Sequence, residues 1–149
     1  MAEEQVQLGE IGLSMARSTP HAAALGLEFV SVEDGVAEMR VPYREDLVGD
    51  PATGVLAGGV ITSLLDHVSG LAVAAARGEG ATATLDLRID YMRAAAPRRA
   101  VRARARCYKL THAIAFVRAT AFEDEETDPI AAAQAAFVLQ DPRPEAPAP

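Results

Sequence analysis

In GVLAGGVITSLLDHVSG, residues 54–70, a glycine pair is followed seven residues later by a single carboxylate, Asp66. If the segment is helical, Asp66 shares its face with Thr62, Ser63, Ser69 and Gly70, the residues three and four away. Val60, Ile61, Leu64, Leu65, Val68 and Leu71 stand around this stripe and supply core contacts. The acid therefore lies on a seam of small residues, where a backbone or ligand can come close. There it can serve as general base or nucleophile; equally, it can be a surface acid or an arginine's partner. Gly58 and Gly59 open the helix, where unpaired N–H groups and a partial positive charge suit an oxyanion, although such a pair also makes a simple tight turn. At about 1.5 Å rise per residue, Gly59 and Asp66 stand roughly 10 Å apart, too far for one carbonyl to touch both in the same helix. If they act together, the acid of one subunit faces the glycines of another, and the site requires a dimer with paired helices. His67 points to a different face and is read as packed or exposed.

The elements that must position these groups follow from periodicity. Residues 4–16, EQVQLGEIGLSMA, suggest a short amphipathic helix weakened by Gly9 and Gly12. LGLEFVSVEDGVAEMRVP reads as two strands joined at Glu33-Asp34-Gly35. Residues 43–57 carry Gly49, Pro51 and Gly54 without a clear period and read as a long, functional loop. The helix runs from about Gly58 to Arg77 and is capped by Gly78. In ATATLDLRIDYMR, Leu85, Leu87, Ile89 and Tyr91 alternate with polar residues, so Tyr91 is expected in the core. VRARARCYKL, HAIAFVRATAFED and a segment from about Ile130 to Gln140 complete the strands, with Cys107 on an apolar face. Strands without crossover helices imply an antiparallel α+β fold. Alanine-lined faces let such a sheet curve closely around one apolar helix, which is the hotdog arrangement. The expected organisation is an N-terminal helical segment over 1–20, the hotdog domain over 21–141 and a disordered proline-rich tail over 142–149.

Composition bounds the partners. The 149 residues carry a formal net charge of −7, which argues against nucleic acid. Nine of the 14 basic residues lie between Arg88 and Arg118, and a locally basic middle suits a small anionic ligand. The alternating Arg102, Arg104 and Arg106 read as a solvated face with acidic cross-strand partners. One cysteine, and His21, His67 and His112 without metal-site spacing, give no expectation of a disulfide or metal. The acidic N-terminus and the absence of a recognisable membrane-length apolar run lead to an expectation of a cytoplasmic protein.

GVLAGGVITSLLDHVSG followed by TATLDLRIDYMRAA resembles the PaaI-type acyl-CoA thioesterases of the hotdog superfamily. Their pattern is G-x-x-H-G-G, an Asp nine residues after the His, then a strand ending D/T-Y-L/M-R-P-A; the likeness runs over roughly residues 25–140. The resemblance implies hydrolysis of an acyl- or aryl-CoA thioester without a cofactor, coenzyme A being part of the substrate. It implies Asp66 as base or nucleophile, the Gly59 N–H as oxyanion donor and Thr84 as a residue positioning water. Gly58, Ala57, Arg93, Lys109, Thr111 and His112 become candidates for holding the substrate, and a homodimer or homotetramer is expected. Ala57 stands where the family has His, and Pro51 where some members have Asn. These departures leave open a non-catalytic acyl-CoA-binding protein, with a hotdog hydratase or dehydratase a weaker alternative.

Overall fold

The computed structural model describes residues 2–33, 35–78 and 80–140. Helices α1 (Ala2–Ser18) and α2 (Pro20–Leu25) precede the hairpin β1 (Glu28–Glu33) and β2 (Val36–Val41). A 3-10 turn (Glu45–Leu47) leads to two short paired strands, β3 (Val48–Asp50) and β4 (Val55–Leu56), and then to α3 (Gly58–Arg77). Four strands follow: β5 (Thr82–Tyr91), β6 (Val101–Leu110), β7 (Ile114–Phe122) and β8 (Ala131–Leu139). The main sheet has the order β1-β2-β6-β7-β8-β5 with every neighbouring pair antiparallel. It packs along α3, which gives the expected hotdog fold.

Small side chains make this closeness possible. Ala103 pairs with Ala121, and Ala105 with Ala119, which in turn faces Ala133 across the next ladder. All five are buried, so the inner face offers α3 a shallow bed. Leu64, Leu65, Val68, Leu71 and Val73 are completely buried in it, each worth about 1.5–3 kcal/mol of apolar transfer. By length and composition α3 is a candidate membrane span, which corrects the expectation that no apolar run reaches that length. Ten of its residues are instead buried within this chain's own core. On the outer face Glu38 bonds both Arg102 and Arg104, and Arg104 also holds Glu126, so the arginines at 102 and 104 do have acidic partners.

Several local readings change. α1 is longer than expected, and Gly12 has a positive role: a Cβ there would stand 2.2 Å from the Phe29 ring, so its absence lets β1 pack on the helix. α2 lies across the expected boundary at residue 20, with Pro20 opening it and Gly26 at φ +70° closing it. The hairpin forms as expected, with Gly35 at φ +72°; Asp34 lies outside the described residues, as does the tail from 141. The segment 43–57 is built around Ala57. Its N–H donates to the Leu47 carbonyl at 2.9 Å, and a Cβ on Gly49 would meet the Ala57 backbone at 2.9 Å.

The largest correction concerns β5. Among the described residues it is an edge strand paired only with β8, and its register slips between Thr84 and Asp86. Leu85 bulges out and is 62% exposed, while Leu87 and Ile89 keep their half-buried inner places. Thr84 now pairs with buried Phe137 and turns to the inner face, where strict alternation would have placed it outside. Bulges of this kind re-aim a side chain beside a site.

Candidate active site

Asp66 is half-buried on α3, on the side facing β5. The re-aimed Thr84 hydroxyl donates to Asp66 Oδ1 at 2.8 Å. Two residues singled out in the sequence for chemistry are thus in direct contact, across 18 residues of chain. One carboxylate oxygen is oriented by this bond, and Oδ2 remains for a water or a carbonyl carbon. The seam around it is polar and small, as expected. Ser63 Oγ and Thr62 Oγ1 bond back to the Gly59 and Gly58 carbonyls at 2.9 and 3.2 Å, and Ser69 Oγ is buried without a hydrogen-bond partner among the described residues.

At the start of α3, Ala57 is the N-cap in extended conformation and provides no side-chain cap. The Val60 N–H donates to the Ala57 carbonyl at 3.0 Å, but the Gly58 and Gly59 amides have no acceptor among the described residues. Both glycines are exposed, and a Cβ on Gly59 would meet nothing within 4 Å. Open, uncapped amides at the positive end of a twenty-residue helix can receive a developing oxyanion.

The sheet register sorts the remaining candidates. Thr84, Phe137, Ala115 and Leu110 form one row across β5, β8, β7 and β6, so Lys109, Thr111 and His112 share the sheet end of Thr84. All three are exposed; Thr111 closes the β6–β7 turn by bonding the Ile114 carbonyl and amide at 2.8 and 3.0 Å. Arg93 lies at the opposite end, beyond Tyr91. Its guanidinium is committed to both oxygens of Glu123, to the side chain and carbonyl of Asp128 and to the Ala94 carbonyl. His67 bonds the Met15 carbonyl at 3.1 Å, fastening α1 rather than joining the acid. Cys107 is only partly buried, and desolvation pushes its thiol up, the opposite of nucleophile activation. Among the described residues no three His, Cys, Asp or Glu side chains cluster as metal ligands would.

Tyr91 is the residue beside the glycine pair that periodicity misplaced. It is 49% exposed, and its hydroxyl donates to the Gly58 carbonyl at 2.7 Å and contacts Thr62 Oγ1 at 2.6 Å. The signal available in the sequence was the hydroxyl itself, which needs a polar partner wherever the ring packs.

The Arg93 contacts carry a stability prediction. Burial pushes the Glu123 carboxyl up, but the Arg93 bond, the Ala96 N–H at 2.6 Å and the Arg93 charge outweigh it and hold it below the ordinary range. The Glu123 side chain is 5% exposed and that of Arg93 is 32% exposed. Arg93→Ala is expected to cost about 2–3 kcal/mol at neutral pH, less than a fully buried pair because Arg93 is partly solvated. A depressed folded pKa stabilises above the unfolded value and loses that contribution as pH falls. The deficit should therefore be full above about pH 6 and shrink below about pH 4, read as urea midpoints across pH. An unchanged midpoint would return Arg93 to the pool of free ligand-binding cations.

Comparison with known proteins agrees with this geometry. The Thioesterase superfamily is matched over residues 53–130, a span holding Ala57, Gly59, Asp66, Thr84 and Arg93. The medium/long-chain acyl-CoA thioesterase YigI of Salmonella typhimurium is 32% identical over 106 residues, which cover 62% of this chain and 67% of that one. Matches to curated relatives span as little as half of their length. A Pseudomonas aeruginosa crystal structure superposes with a TM-score of 0.81 at 34% identity, covering 88% of this chain and 98% of that one. A variant of the phenylacetic acid degradation protein PaaI from Thermus thermophilus gives 0.69 at 27% identity, covering 80% and 97%. With the family matched across the whole glycine–acid segment and the sheet wrapped around the helix that carries it, the chain belongs to the Thioesterase superfamily and has its hotdog fold.

Proposed function

We propose that this chain is an acyl-CoA thioesterase whose site forms between two copies, Asp66 of one subunit facing the Gly59 amide of the other. The observation that carries this reading is the 2.8 Å bond from Thr84 to Asp66, which aims a half-buried acid from a helix otherwise devoted to the core. In the reaction water adds to the thioester carbonyl carbon while Asp66 takes its proton, and the carbonyl electrons move onto oxygen beside the Gly59 N–H. Collapse of the tetrahedral species breaks the C–S bond; the thiolate is protonated and leaves as coenzyme A, and the acyl group departs as the free acid. Direct attack by Asp66 would give a mixed anhydride that water then opens, with the same products. Lys109, Thr111 and His112 form the exposed end best placed to meet coenzyme A.

The dimer is supported by the edge strand. Among the described residues β5 leaves one backbone edge unpaired, and Leu85 and Met92 are 62% and 57% exposed beside it. A concavity of about 780 Å³ crosses the outer sheet face between Arg88, Arg106, Arg118 and Glu38, and neither Asp66 nor Gly59 lines it. In the proposed dimer the second copy supplies a wall over the acid. Leu85→Glu is expected to convert the dimer to monomer in light scattering and to reduce activity more than about tenfold at micromolar protein. A monomeric wild type, or a fully active monomeric variant, would remove the two-subunit site.

The function itself is tested by free-thiol release from short, medium, long and aryl acyl-CoAs. Release identifies the hydrolase and its acyl preference. Binding without release would favour the second reading, an acyl-CoA-binding protein, to which the missing side chain at Ala57 points.

A further inference from the structure

We infer that Tyr91 is a positioning residue for the oxyanion amide: by holding the Gly58 carbonyl, its hydroxyl sets the direction and donor strength of the Gly59 N–H. The inference rests on the thioesterase reading above, in which that amide faces the thioester carbonyl.

The Gly58 carbonyl and the Gly59 N–H belong to one peptide unit, planar and trans, so they point in opposite directions. Whatever fixes the carbonyl fixes the amide. This peptide lies in the first helical turn, joins two glycines of high backbone freedom and follows an N-cap with no capping side chain. Its carbonyl takes the first i to i+4 helical bond, from the Thr62 N–H. Two side-chain hydroxyls add to that hold. Tyr91 Oη donates to the Gly58 oxygen at 2.7 Å, Thr62 Oγ1 reaches the same oxygen at 3.2 Å, and the two hydroxyls meet at 2.6 Å. Tyrosine and threonine bring one proton each to three contacts. With the Tyr91 proton on the carbonyl, the Thr62 proton lies on Tyr91 Oη or on the carbonyl. Either arrangement polarises the C=O, and hydrogen bonds in such a chain strengthen one another. Electron density drawn to the carbonyl oxygen leaves the amide nitrogen poorer and its N–H a better donor.

Packing agrees with this role. A Cβ on Gly58 would stand 3.9 Å from Tyr91 Cε1, Cζ and Oη, so the ring lies directly over the turn. At 49% exposure the Tyr91 residue is not forced into this bond by burial. Tyr91 and Thr84 also come from the same strand and the same inner face, so β5 sets the acid with one residue and the oxyanion donor with the other.

Tyr91→Phe keeps the ring and removes only the hydroxyl. For octanoyl-CoA thiol release, kcat is expected to fall about three- to tenfold with KM changed less than about twofold. In the substrate-free protein the Gly59 amide cross-peak in a ¹⁵N–¹H spectrum should move upfield, with Tm nearly unchanged; the ring current is the same in both proteins. Thr62→Val should move the peak in the same direction by less. A Gly59 resonance that stays in place in both variants overturns the inference, whatever kcat does. Asp66→Asn run alongside separates the two proposals: turnover that survives there sinks the site assignment, while the Gly59 peak still decides the role of Tyr91.

Discussion

Asp66→Asn is expected to slow thiol release from acyl-CoA by about 10²–10⁴-fold, the range general-base chemistry supplies, with acyl-CoA binding and Tm retained. The substitution is nearly isosteric. The Asn oxygen can still accept the Thr84 proton, so the 2.8 Å contact that orients the side chain survives and the fold has no reason to change. The second oxygen becomes an NH₂ group that can neither accept a proton from water nor attack a carbonyl. The loss should therefore fall on kcat, the mark of an interaction made in the transition state. Near-normal turnover would refute the assignment. Single turnover of the wild type in ¹⁸O-water then tests for direct attack. Label that enters Asp66 itself means an anhydride opened at the aspartyl carbon, whereas label confined to the released acid means that water adds at the acyl carbon, of the thioester or of an anhydride.

The parts of this site that could be read in the sequence are those governed by local pattern. The bounds of α3 follow from its apolar stripe, Gly58 and Gly78, and β6 and β7 follow from alternation of alanines with larger residues. A place for Thr84 in the site came only through family resemblance, as a residue positioning water, and its bond to Asp66 was not legible. Periodicity places Thr84 outward, and the bulge at Leu85 that turns it inward depends on pairing with β8, some 50 residues downstream. The same non-local cause misplaced Tyr91. Alternation puts it on the inner face, which is right, but burial depends on whether the strand is central or at the edge. Only the order β8-β5 settles that. Arg93 enters the substrate-holding candidates through the family resemblance and its place at a strand end. Glu123 and Asp128 reach it from the β7–β8 connection. Within α2, six residues are too few for a period to declare itself.

Gly59→Pro should cost about 10²–10³ in kcat, the loss typical of deleting one oxyanion donor. At the second position of α3 the N–H makes no intrahelical bond, so proline removes the proposed donor without breaking the ladder, and the first turn tolerates its ring. Gly59→Ala is the control. Its Cβ meets nothing within 4 Å, it keeps the N–H, and alanine favours the helix over glycine by about 1 kcal/mol. Loss in the proline variant alone assigns the amide; equal loss in both assigns only the space above Gly59. The two dead variants then test each other. If Asp66 and Gly59 act across the interface, a dimer of one Asp66→Asn and one Gly59→Pro subunit holds one doubly defective site and one intact site. Refolding the two variants together at equal concentration makes half the dimers mixed, so about a quarter of wild-type activity should return. If acid and amide served the same carbonyl from within one chain, every site in the mixture would lack one of them. No activity would then return. The roughly 10 Å along α3 between Gly59 and Asp66 predicts recovery.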